Sequence, residues 1–153
     1  MGYCRPRMGW FRKRKRRESI EVDGIGRVED DDGEWCKRAV ELHDGFCADV
    51  WLGPTERTPK TVAYRALMKD WPRLRKEIEQ EAFELQGNYL EQRLPKDATV
   101  TRVWTTMREP VVRCVSAGNY ELCVTFTWQA EDDPHTVTFY IENGVARGCS
   151  IDG

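Results

Sequence analysis

The sequence predicts an α+β fold: an antiparallel β-sheet, with N-terminal hairpins and a C-terminal β-meander, packed against one long, Pro-broken helical segment. Three observations carry this. Leu122, Val124, Phe126 and Trp128 alternate strictly with Glu121, Cys123, Thr125 and Thr127, the period of a half-buried strand. Leu74, Ile78, Ala82, Leu85 and Tyr89 recur at helical spacing. His43-Asp44-Gly45 and Asn143-Gly144 are hairpin turns between such runs.

In chain order, residues 19–53 read as three strands. Ile20, Val22 and Ile25–Val28 form the first, interrupted by Gly24 and Gly26, which suggest a bulge or close packing. Asp30-Asp31-Asp32-Gly33 is a turn. Trp35–Leu42 and Phe46–Leu52 then form a hairpin over a three-residue loop, which sets Leu42 opposite Phe46 and Val40 opposite Ala48. Phe46, Ala48, Val50 and Leu52 share the core face, and Trp35, Asp49 and Trp51 fall on the other. Residues 59–93 are helical, with Thr58 as N-cap and Pro59 at the first helical position. Val62, Ala66 and Leu67 begin an apolar stripe that Asp70-Trp71-Pro72 breaks, and a second, longer helix follows. In 99–108, Val100, Val103, Trp104 and Met107 fit a short helix better than a strand. Residues 110–151 are the meander, and a two-residue Asn143-Gly144 turn pairs Ile141 with Ala146 and Phe139 with Gly148. The small residues there leave a groove suited to the long helix.

A chain of 153 residues fits one domain, placed at 19–153 behind a disordered basic arm, 1–18. Residues 1–17 contain eight Arg or Lys and no acid, which leaves 16 of the 24 basic residues and all 26 acidic ones, a net of −10, to the rest. Partner choice follows such local charge more than the total of −2. Met8-Gly9-Trp10-Phe11 offers a second plausible start, which would make Met1–Arg7 dispensable. No run approaches the roughly 18 apolar residues of a membrane helix, and no apolar segment follows the basic start, so the expected location is the cytoplasm. The six cysteines are then mostly reduced thiols. A turn at Gly118-Asn119 would set Cys114 and Cys123 opposite each other, where two thiols remain the expectation.

Catalytic patterns are sparse. The chain has two histidines, no Gly-x-Ser-x-Gly, no Cys-x-x-Cys and no phosphate-cradling loop, so an enzyme is less expected than a binding protein and no cofactor is implied. Asp132, Asp133 and His135 form a weak metal-binding cluster, more simply read as a polar connection ended by Pro134. Trp35, Asp49 and Trp51 are the candidate partner-binding set, weighed against a second packing layer. Arg12, Lys13, Arg14, Lys15, Arg16 and Arg17 suit nucleic acid or an anionic membrane surface, with Trp10-Phe11 as an interfacial anchor. The acidic remainder would oppose a polyanion, and a solvated or folded-back arm is the plainer reading.

Met8-Gly9-Trp10-Phe11 with its basic run, Gly24-x-Gly26, the hairpin from Trp35, and Asp133-Pro134-His135-Thr136 leading to Phe139 and Asn143-Gly144-Val145 together resemble small bacterial α+β domains of uncharacterised function. Some related domains resemble the immunity proteins that neutralise bacterial toxins. The resemblance implies a non-enzymatic cytoplasmic protein that binds another protein, and transfers no catalytic residue. The alternatives are a module tethered to membrane or nucleic acid by its arm, and a small metal-dependent enzyme around His135. No oligomeric state is indicated.

Overall fold

A computed structural model describes residues 18–89, 100–127 and 135–152. Eight strands form one sheet in chain order: β1 (Ser19–Val22), β2 (Gly26–Asp31), β3 (Glu34–His43), β4 (Phe46–Pro54), β5 (Met107–Ser116), β6 (Asn119–Phe126), β7 (Thr136–Glu142) and β8 (Val145–Asp152). Every neighbouring pair is antiparallel except β4 and β5, which run parallel through Asp49–Val111, Val50–Val112 and Trp51–Arg113. The connection between them carries helix α1 (Thr61–Tyr89) and a 3₁₀ segment, Val100–Thr106. The expected α+β class and largely antiparallel sheet are present.

The expected first strand is two. Gly24 takes φ +73° in the turn between β1 and β2, where the Ile25 amide donates to the Val22 carbonyl at 3.0 Å. The chain folds back where a continuous strand was expected, because a glycine enters the left-handed region without the Cβ clash. Between β3 and β4 the loop has two residues, not three, and His43 rather than Leu42 faces Phe46. Val40 lies opposite Ala48, with register shifts on either side. One of these follows Ala39, whose φ of +49° is a bulge conformation.

The expected break at Asp70-Trp71-Pro72 does not occur: α1 is one helix with Pro72 inside it. An interior proline costs about 3 kcal/mol. Leu67, Trp71, Leu74 and Ile78 flank it at 2% exposure or less. Each such side chain contributes roughly 1.5–3 kcal/mol by leaving water, so burial outweighs the lost backbone bond. The stripe also begins differently. Val62 is 69% exposed, and Ala63, Tyr64 and Leu67 take the core positions. The first turn begins at Thr61, after the expected Pro59.

α1 lies on the face made by Val28, Val40, Val50, Leu52, Val112, Leu122, Val124, Val137 and Phe139, in one hydrophobic cluster with Leu74, Ile78 and Ala82. Side chains clamp it to the sheet. Lys60 Nζ donates to the Val115 carbonyl at 2.7 Å, Arg65 to the Asp23 carbonyl at 2.9 Å, and Glu77 accepts the Ala146 amide at 3.2 Å. The last contact ties the helix to edge strand β8. Residues 100–106 are helical in the tighter 3₁₀ form, which buries Val103 and Trp104 before β5 begins at Met107.

In the meander, Ile141 pairs with Ala146, but Phe139 faces Cys149 because a register shift follows Tyr140. The β5–β6 turn falls one residue earlier than expected. Cys114 therefore faces Tyr120 while Cys123 faces Val111, so the two cysteines do not meet. Cys36, Cys114, Cys123 and Cys149 are free, whereas Cys47 is disulfide-bonded, which departs from a reading of reduced thiols at that position. No described helix is long and apolar enough to cross a membrane. Trp128 and helical positions 90–93 lie outside the described residues.

Candidate functional site

Two groups of side chains stand out from the core. The first is on the sheet face opposite α1, across β2, β3 and β4. Arg38 sits among three carboxylates there. Its guanidinium donates to Asp49 Oδ2 at 2.9 Å and to Asp31, and Glu29 lies 4.0 Å away. Asp49 also accepts the Ala39 amide through Oδ1 at 3.0 Å, which holds the bulged β3 backbone against β4. Arg38 is 30% exposed, so solvent screens this network and each pair is worth at most about 1 kcal/mol.

Trp51 joins this face, opposite Cys36 on β3. It is half-buried, and its Nε1 is buried without a hydrogen-bond partner among the described residues. Cys36 beneath is fully buried. Burial pushes its thiol up to about 12, although Arg38 pulls the other way. Such a group stays protonated at neutral pH and is no nucleophile. Cys114 is likewise pushed up to about 12 by burial.

Trp35 does not share this face. It is 6% exposed within the core cluster, opposite Asp30 on β2, and its Nε1 donates to the Arg57 carbonyl at 2.8 Å. The register shift between Lys37 and Val40 breaks the alternation that put Trp35 and Trp51 together. Of the expected set, Asp49 and Trp51 are neighbours and Trp35 is structural. Arg12, Lys13, Arg14, Lys15, Arg16, Arg17, Asp132 and Asp133 lie outside the described residues. His135 is half-buried just before β7. Among the described residues no three His, Cys, Asp or Glu side chains are placed to hold a metal ion.

The second group centres on His43, at the tip of the β3–β4 hairpin. Its ring stacks on Phe46 and Trp71, with centroids 5.3 and 6.0 Å away, and meets Trp104 edge-on at 4.7 Å. Trp71 Nε1 donates to His43 Nδ1 at 3.0 Å, and Trp104 Nε1 donates to Glu79 Oε1 at 2.6 Å. Glu79 is only 7% exposed. Arg75 stands beside Asp44 at 3.7 Å. Burial, reinforced by Arg75, lowers the His43 pKa, against Asp44 and Glu79. Sequence reasoning left His43 as a turn residue. The usable signal was Trp71 within a helix that packs on the hairpin, since a buried indole N–H needs an acceptor.

No protein-family model, curated protein or solved structure matches this chain.

Proposed function

We propose that this chain works by binding another protein through the sheet face opposite α1, with Trp51 as the aromatic anchor and the carboxylates of Glu29, Asp31, Asp49 and Glu121 selecting a basic partner. The observation that carries the reading is Trp51 itself: a half-buried indole with an uncommitted N–H, beside acids held in place by Arg38. Tryptophan is enriched where binding energy concentrates, and complementary charge speeds the encounter and excludes wrong partners. The resemblance to immunity-type domains agrees with a protein partner. Trp35 plays no part in this version.

A pull-down from a native-like lysate tests it. The wild type is expected to recover a basic protein that the Trp51→Ala/Glu121→Lys variant, checked for an intact melt, fails to retain. No partner with the wild type, or equal recovery by the folded variant, overturns the reading.

A second reading rests on the run Arg12–Arg17, which would tether the chain to anionic membrane or nucleic acid. Co-sedimentation with anionic vesicles or DNA at low salt, with and without residues 1–17, separates it from the first. Binding that depends on the arm and ignores Trp51 favours the tether.

A further inference from the structure

The His43 group has a chemistry that protein binding by the outer sheet face does not use. An indole nitrogen only donates, so the 3.0 Å contact from Trp71 requires a lone pair on His43 Nδ1. The imidazole is therefore neutral in this arrangement, with its proton on Nε2. Protonation puts a hydrogen on Nδ1, and two donors then face each other. Trp71 is 2% exposed, so its N–H has no water to turn to.

The contact joins separate elements. His43 and Phe46 belong to the hairpin, Trp71 and Glu79 to α1, and Trp104 to the 3₁₀ segment. The charged groups around the ring are Arg75 and Glu79 from α1 and Asp44 from the hairpin turn, while the 3₁₀ segment presents the Trp104 indole. Glu79 is engaged with the Trp104 N–H, and Asp44 is paired with Arg75. Neither carboxylate is bonded to the ring.

We propose that His43 is a proton-operated latch: as the neutral base it accepts the Trp71 N–H and holds the β3–β4 hairpin tip on α1 and the 3₁₀ segment, and on protonation it releases the tip and exposes the Trp71–Trp104–Phe46 surface. The sign follows from linkage. The folded pKa is depressed, so the unfolded chain binds more protons over the interval below the ordinary histidine value of about 6.5. The latch holds fully above that value and is lost as pH falls through the depressed folded pKa.

The test is an acid titration of the full chain, with tryptophan emission followed beside far-UV circular dichroism. The wild type is expected to shift its emission to the red with a midpoint below the ordinary histidine range while its secondary structure persists. His43→Asn places an amide oxygen near the position of Nδ1, keeps an acceptor and cannot titrate, so the transition should vanish. His135→Asn removes the other histidine and should leave it. A transition that survives His43→Asn, or disappears in His135→Asn, overturns the latch. Nitrogen NMR of the histidines gives a second reading that needs no variant. A neutral His43 carrying its proton on Nδ1, or one that titrates at the ordinary value with the Trp71 indole resonance unmoved, also overturns it.

Discussion

Two tryptophan N–H groups in this protein have opposite fates, and the difference can be measured. Trp104 donates to the buried carboxylate of Glu79, so Trp104→Phe strands a charge away from water. The expected loss is about 3 kcal/mol, the scale for a buried charged group deprived of its partner. Glu79→Gln keeps an acceptor and should cost less. Trp51 Nε1 is buried and unpartnered, so Trp51→Phe removes an unsatisfied donor along with some apolar area. Its stability should change by less than about 1 kcal/mol, because a relieved desolvation penalty of roughly 1–3 kcal/mol offsets the lost packing. Urea denaturation of the three variants settles the ranking, and a Trp51→Phe loss as large as that of Trp104→Phe would refute this account. Neither fate is visible in a sequence, since both depend on what lies across from the indole.

At the scale of elements, Pro72 is the informative residue. It is exposed within a continuous helix whose buried side chains hold it in place. Pro72→Ala restores one backbone donor and removes the ring clash, at the expense of a looser unfolded chain worth about 0.4–1 kcal/mol. The net should be a gain of about 2 kcal/mol, read as a higher urea midpoint with an unchanged slope. A neutral or destabilising outcome would mean that the packing of Trp71 depends on the proline. The sequence showed the stripe through Leu74, Ile78 and Ala82 and the alternation through Leu122, Val124 and Phe126, because each is a run of regular period against one core face. It did not show where the period slips. Ala39 and Glu109 adopt positive φ beside register shifts in β3 and β5, and neither is a residue type that announces this. The slip between Lys37 and Val40 moved Trp35 into the core, and the slip after Tyr140 set Cys149 opposite Phe139. The helix was misread for the reverse reason: a strong local signal at Pro72 lost to tertiary packing.

For the whole molecule, the parallel contact between β4 and β5 decides how the chain comes apart. The N-terminal strands and the meander touch directly at three pairs, Asp49–Val111, Val50–Val112 and Trp51–Arg113. Three strand pairs alone would be a weak joint between two halves. α1 changes this, because Leu67, Leu74 and Ile78 belong to the same buried cluster as Val28 and Val40 on one side and Leu122 and Phe139 on the other. Neither half of the sheet can keep its apolar face out of water once the helix leaves. Urea unfolding should therefore be a single transition, with tryptophan fluorescence and far-UV circular dichroism coinciding. Two separated transitions would show that each half holds a core of its own. Folding should also be slow for a chain of this size, since pairing residues 49 and 111 closes a long loop before the core rewards it. Val112→Ala tests that step. It removes a 1% exposed side chain at the joint, and if β4–β5 docking belongs to the transition state it slows folding rather than speeding unfolding. A change confined to the unfolding rate would place the joint after the barrier, with α1 docking on the meander first.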